Sequence, residues 1–251
     1  MKKIIFFALS AGLLWTGCKQ NDLRYFEEEI PLLSVWLGTN TIVQDSITHN
    51  FAYSPTDQDA ITFNYRIVGF PTDYDRTFEL TTTDEDAKLL NFTFGTYKVP
   101  AGKQEGDFVF HVDKPKDENL FKNKDLKVSF TVKESTLFQP SPKDYSKLKI
   151  TFKNAVTKPD NWDKAVLPYL PLVNFFGAYS DVKYRFVIQT TGRSNFSVYR
   201  TVVVNPELPA NTITELHAQA LKNQCKIALE RYNAEHGTPL LDENLNPVVF
   251  P

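Results

Sequence analysis

The sequence predicts a mainly β protein. An antiparallel β-sandwich comes first, and a smaller α+β portion with one long amphipathic helix follows. Three observations carry this. Between residues 32 and 153, short segments with every second residue apolar recur between turn residues. Aromatic residues make up 14% of the chain, with 20 Phe and 11 Tyr, a supply suited to sheet cores. The stretch from 212 to 235 keeps helical spacing over many turns.

The sandwich is predicted over residues 31–154. Leu32 to Leu37 (LLSVWL) reads as a first buried strand and Ser46 to Tyr53 as a second. In the third, Ile61, Phe63, Tyr65 and Ile67 alternate with Thr62, Asn64 and Arg66, giving one apolar and one wet face. Gly69 and Pro71 end it. Phe78 and Leu80 share one side of the next segment, then Phe92, Phe94, Tyr97 and Val99 precede the turn Pro100-Ala101-Gly102. Alternation returns in Phe108, Phe110 and Val112, in Leu126, Val128, Phe130 and Val132, and in Leu148, Ile150 and Phe152. Seven or eight short strands separated by turns are the pattern of an antiparallel sandwich.

Residues 155–251 read as the α+β portion. Pro159, Pro168 and Pro171 around Trp162 suit an ordered linker without a long helix. A helix is expected to start near Ser180, whose hydroxyl can cap the amides of Val182 or Lys183, and a strand is expected from Val198 to Val204. The long helix is expected from Thr212 to Glu235, capped by Asn211 and ended by Gly237. Its apolar stripe runs through Ile213, Leu216, Ala220, Leu221, Cys225, Ala228, Leu229 and Tyr232. A turn at Asp242-Glu243-Asn244 should lead to a last strand, Val248 to Phe250.

The N-terminus carries a secretory pattern. Lys2 and Lys3 precede the apolar run Ile4 to Leu14, and the small residues Thr16-Gly17 lie before Cys18. About eleven apolar residues are too few for a transmembrane helix, so residues 1–17 read as a signal peptide. Cysteine directly after small residues is the pattern of bacterial lipoproteins, whose thiol is acylated and becomes the new N-terminus. Trp15 stands where leucine is usual, and a plain cleaved signal with an incidental Cys18 is the alternative. Residues 18–30 then form a polar spacer between a lipidated Cys18 and the body. The expected setting is a membrane surface, with the leaflet left open.

Composition narrows function. The chain has 251 residues, a formal charge of -2 and a pI of about 6.1, so no basic field exists to hold nucleic acid. Cys18 and Cys225 are the two cysteines, and acylation of the first leaves no internal disulfide. The strained serine turn G-x-S-x-G is absent, and the four histidines lack zinc spacings. No enzyme activity and no cofactor are therefore expected.

The weaker site signals are carboxylates and rings. Asp57 and Asp59, Asp73 and Asp75, and Asp84 with Asp86 sit in loop stretches, where hard oxygens converging at about 2.3–2.6 Å would suit calcium. The bland reading is solvated turns. Tyr74, Trp162 and Tyr169 fall outside the clear core alternation and are the candidate ligand-contact rings, with packing as the bland reading. Trp36 is expected to be packed. Cys225 on the helix stripe is expected to be a buried, inert thiol.

Several stretches together resemble a known family. They are SITHNFAYSPTDQDAITFNYRIVG from Ser46, Asp75-Arg76, Pro100-Ala101-Gly102, KPDNW from Lys158, FGAYSDVKYRF from Phe176 and LERYNAEHGTPLLDE from Leu229. In this order they resemble the Bacteroidetes lipoproteins called domain of unknown function 4843. The resemblance implies an outer-membrane lipoprotein, often encoded among polysaccharide or peptide uptake systems of the starch-utilisation type. Its implied partners are a TonB-dependent transporter and a glycan-binding lipoprotein, and it brings no catalytic residues. The sandwich is then expected to be immunoglobulin-like, of the Calx-beta kind. The functional expectation is a non-enzymatic accessory or ligand-binding protein. An adhesin or surface-assembly subunit, or a hydrolase, are the alternatives.

Overall fold

The structure is a computed structural model that describes residues 30–39, 41–122, 124–142, 145–200 and 207–251. Cys18, the signal and most of the spacer lie outside the described residues.

The expected sandwich is present. Its strands are β1 (Leu32–Gly38), β2 (Val43–Gln44), β3 (Ser46–Asn50), β4 (Gln58–Val68), β5 (Arg76–Phe78), β6 (Leu80–Thr81), β7 (Phe92–Phe94), β8 (Tyr97–Val99), β9 (Glu105–Asp113), β10 (Leu126–Val132), β11 (Gln139–Pro140) and β12 (Lys147–Lys153). One sheet runs β11-β1-β4-β9-β7 with β2 added to β1; the facing sheet runs β3-β12-β10-β6. Most neighbours are antiparallel, but β11 joins β1, and β3 joins β12, in parallel. The second predicted strand stops at Asn50, because Phe51–Tyr53 turns into a 3-10 helix whose Ala52 amide is held by the Asn50 side chain at 3.1 Å.

Period-two patterning decides which side chains enter the core. Ile61, Phe63, Tyr65 and Ile67 of β4 are buried there, as are Leu33, Val35 and Leu37 of β1 and Phe130 and Val132 of β10. Aromatic rings fill the space largely edge to face. Phe63 meets Tyr97 with centroids 5.2 Å apart at 89°, and Phe110 meets Phe130 at 5.4 Å. Such arrangements set the positive edge of one ring against the negative face of another.

A second core forms under residues 155–251. Here lie β13 (Tyr169–Leu170), α1 (Val173–Phe176), α2 (Asp181–Thr191), β14 (Ser197–Tyr199), β15 (Thr212–Thr214) and α3 (Glu215–His236). Trp162 is its centre: fully buried, with Nε1 donating to the Gly177 carbonyl at 3.0 Å and rings of Tyr179 and Tyr184 set edge-on. The proline-rich stretch around it therefore belongs to a core rather than merely linking. Ser180 caps α2 as expected, its hydroxyl accepting from the Lys183 amide at 3.1 Å.

The long helix differs from expectation at its start. Thr212–Thr214 extends as β15, parallel to β14, and Thr214 is the cap, accepting from the His217 amide at 3.2 Å. Asn211 instead takes a left-handed backbone, φ 57°. The buried face is Ala218, Leu221, Cys225 and Leu229, spaced three and four apart, which leaves Leu216 81% exposed. Burial pushes the Cys225 thiol up to about 12, so it stays protonated. Gly237 ends the helix at φ 68° as expected. The strand expected at Val198–Val204 reaches only Tyr199; residues 201–206 are outside the described set. Val248 and Phe250 are buried but form no strand. An isolated bridge between Leu241 and Pro247 and a bond from the Val248 amide to the Leu240 carbonyl (2.8 Å) hold that segment.

The two cores meet at the turn after β3. Phe51 belongs to the sandwich core and Ala52 to the second. Asn50 Nδ2 donates to the Ala155 carbonyl at 2.7 Å, and Arg185 Nη1 donates to Asn154 Oδ1 at 2.8 Å. Replacing Trp162→Ala should remove the centre of the second core and lower stability by about 3–5 kcal/mol, read as a shift in the urea midpoint.

Candidate binding site

The site arises where the polar face of the first sheet is covered instead of wet. On β1, Ser34 and Trp36 point away from the sandwich core, yet they are only 6% and 5% exposed. Asn64, opposite Trp36 on β4, is equally buried and donates to the Gly38 carbonyl at 2.9 Å. Two segments beside the free edge of β1 supply the cover. The hairpin from β1 to β2 folds back through Gly38, whose φ of 91° is open to glycine. A Cβ there would lie 2.3 Å from the Ile42 carbonyl oxygen. Tyr145 lies along the same edge of β1, away from β4, and also has a left-handed backbone, φ 61°, unusual for a residue with a Cβ. Its carbonyl accepts from the Val35 amide at 2.6 Å, which fixes its backbone beside β1.

Between these covers lies a recess of about 520 Å³, bounded by Trp36, Val43, Asp45, Tyr145, Lys147 and Lys149. An adjoining hollow of about 280 Å³ shares Trp36, Val43 and Tyr145 and adds Ser34, Arg66 and Val68. Trp36 and Tyr145 stand edge to face, 5.6 Å apart, with the Trp36 Nε1 donating to the Thr39 carbonyl at 3.2 Å. The Arg66 guanidinium lies 5.6 Å from the Trp36 ring centroid and pairs with Glu105 at 2.9 Å. Lys149 pairs with Asp45 at 3.1 Å. The Tyr145 ring is 47% exposed and open to a ligand. An apolar ring beside fixed charges and a hydroxyl suits a molecule with one apolar face and many hydrogen-bonding groups. A wider groove of about 780 Å³ runs between α2 and α3, but Asn223, Gln224, Ile227 and Arg231 along it are exposed, which makes it a surface seam.

The sequence-predicted site residues lie elsewhere, and the structure does not gather them. Among the described residues, no three acidic, His or Cys side chains converge as metal ligands. Calcium needs several such oxygens at once, and here the carboxylates serve other partners. Asp59 pairs with His49 Nε2 at 2.9 Å and accepts from Thr56 Oγ1 at 3.1 Å and from Ser54. Asp75 binds Lys98 at 2.6 Å and the Ala101 amide at 2.9 Å, which together hold its carboxyl below the usual range. Asp84 accepts from the Ser129 amide at 2.6 Å. Asp86 takes Lys124 at 2.7 Å and the Lys127 amide at 2.9 Å, and is lowered likewise. Asp57 and Asp73 are exposed.

Of the three candidate ligand rings, Trp162 is withdrawn, since a fully buried ring cannot meet a ligand. Tyr169 packs edge-on against Tyr199 at 5.8 Å. Tyr74 is 54% exposed, on a loop away from the recess lining. The recess residues themselves had a faint signal. In LLSVWL, Leu33, Val35 and Leu37 claim the core, so alternation places Trp36 on the opposite face. Tyr145, in the polar stretch SPKDYSK, has no such pattern.

Residues 31–193 match the family model described as Domain of unknown function (DUF4843). This chain belongs to that family. The DUF4843 match covers the sandwich, Trp162 and α2, and stops before β14, so the stretch from Leu229 to Glu243 lies beyond it. No curated protein is detectably similar in sequence. Among solved structures, a proposed carbohydrate binding protein from Bacteroides ovatus is similar at 12% identity and TM-score 0.34, over 49% of this chain and 37% of that one. A two-domain protein of unknown function from Bacteroides fragilis is similar at 12% identity and TM-score 0.35, over 56% and 51%. The apo-form Calx CBD1 domain matches at 12% identity and TM-score 0.33, over 50% of this chain and 99% of that domain. The DUF4843 chain thus spans about a third and about half of the two Bacteroides proteins.

Gly38→Ala should strain the hairpin that covers Trp36. The expected result is a stability loss of about 1–3 kcal/mol with a red-shifted tryptophan emission, since Trp162 stays buried. Because the Asp86 carboxyl is depressed in the folded state, the stability it contributes is present above about pH 4 and lost as pH falls further. Asp86→Asn should therefore lower the urea midpoint at pH 7 and narrow its difference from wild type toward pH 2.

Proposed function

We propose that this chain is a non-enzymatic lipoprotein of the bacterial outer membrane that binds glycan fragments for a starch-utilisation-type uptake system. Acylated Cys18 tethers it, and it acts beside a TonB-dependent transporter and a glycan-binding lipoprotein. The observation that carries the binding reading is the Trp36–Tyr145 recess. Burying a polar-face tryptophan under a strained tyrosine has a conformational cost that packing alone does not require. The Tyr145 ring, backed by buried Trp36, covers the apolar side of a pyranose, while Arg66, Asp45 and Lys147 offer donors and acceptors for its hydroxyls. The tether rests on the order Lys2-Lys3, apolar run, Thr16-Gly17, Cys18.

Two measurements test it. Calorimetric titration with an oligosaccharide panel should find a ligand whose affinity falls roughly tenfold in Tyr145→Ala, about 1.4 kcal/mol, with the fold kept by circular dichroism. Labelled palmitate should enter the wild type and not Cys18→Ser. No binding across the panel would sink the recess reading, and an unlabelled wild type the tether.

A further inference from the structure

The end of the sandwich where the chain enters carries an exposed aromatic tip. In the register of β1 with β4, Leu32 pairs with Val68. The strands are antiparallel, so β1 begins where β4 ends. Ile30 and Phe70, each two residues beyond that pair, leave the body at the same end. Phe70 is 79% exposed, Tyr74 54% and Val68 43%.

This tip is held firmly. The Gly102 amide donates to the Thr72 carbonyl at 2.8 Å, Gln104 Nε2 to the Gly69 carbonyl at 2.8 Å, and the Ala101 amide to Asp75 Oδ1 at 2.9 Å. A phenylalanine fixed outward on a braced loop is not an incidental exposure of a loose chain. Lone apolar side chains are common on surfaces, but here Val68, Phe70 and Tyr74 are all exposed within one seven-residue segment.

The chain outside the body says which partner. Eleven residues, and so twelve Cα-to-Cα steps, separate Cys18 from Ile30. Fully extended they reach roughly 40 Å, and as a coil about 20 Å. A lipid on Cys18 therefore keeps this end of the sandwich within a short distance of the bilayer whatever path the spacer takes. That proximity raises the local concentration of membrane surface at the tip without any further contact. Aromatic side chains favour the boundary between headgroups and acyl chains.

We propose that Phe70, with Tyr74 four residues on in the same loop, inserts into the membrane interface and holds the tethered body in one orientation, resting on the lipidation reading above. Charge contributes little. Asp75 is neutralised by Lys98, and exposed Asp73 offsets Lys103. The contact is thus apolar and insensitive to salt.

Phe70→Trp reports it directly, because Trp36 and Trp162 are both buried and give a constant background. The mature protein, which begins at lipidated Cys18 and so lacks Trp15, is purified with its natural lipid and placed in phosphatidylethanolamine–phosphatidylglycerol vesicles, with and without acyl-brominated lipid. The expected result is a blue-shifted emission from Trp at position 70, with its contribution reduced roughly twofold by the bromine, at both low and high salt. Emission at the wavelength of water-exposed indole and no quenching would overturn the proposal. Should palmitate labelling show no natural lipid, a maleimide lipid coupled to Cys18 repeats the same reading, since Cys225 is buried. Failure of the tether and failure of the tip thus give different results. Circular dichroism matching wild type confirms that the exposed substitution leaves the fold intact.

Discussion

The pairing of β1 with β4 is the constraint from which the rest of this molecule follows. Its register places Leu33, Val35 and Leu37 beside Tyr65 and Ile67 on the core side. The same register leaves Ser34, Trp36, Asn64 and Arg66 together on the other face. A slip of one residue would exchange the two faces completely. Burial of the inner set is worth far more than any contact outside, so the hydrophobic effect fixes the register and the outer constellation comes with it. Sandwich core, ring recess and the position of the chain entry are three consequences of one ladder.

What makes the outer face unusual is its cover. A sheet with one face on a core normally leaves the other to water. Here Gly38 turns the chain so that β2 pairs along the free edge of β1, and Tyr145, beside that same edge with a left-handed backbone, sets its ring against Trp36. Both devices use conformations that an ordinary residue resists. The cover is incomplete, and the space left between Trp36, Tyr145, Lys147 and Arg66 is the recess. The acidic side chains described above lie outside it and brace loops and strand ends.

Much of the fold was legible because it depends on local rules. Alternation in residues 61–67 and 126–132 marks the core face residue by residue, and Ser180 and Gly237 end helices by caps that sequence displays. Long-range pairing was not legible. Thr212–Thr214 has no strong strand pattern of its own and becomes β15 because β14 lies beside it. The stripe of α3 then shifts, burying Ala218 and exposing Leu216. The candidate site was less legible than the fold. Trp36 could be assigned to the outer face, but nothing in the chain announces that Tyr145, 109 positions away, will stand over it. Acidic pairs looked like a metal site because sequence shows neighbours along the chain and not the lysines and amides that answer them in space.

The place of β1 in its sheet has one more consequence. It is the first strand of the body, and it is bonded on both sides, antiparallel to β4 and parallel to β11. Tension entering at Ile30 therefore runs along β1 while its hydrogen bonds lie across the direction of pull. Those bonds share the load in shear and must fail together, instead of opening one after another like a zipper. A body hung from this strand would yield to drag only after the bonds on both edges of β1 had broken together.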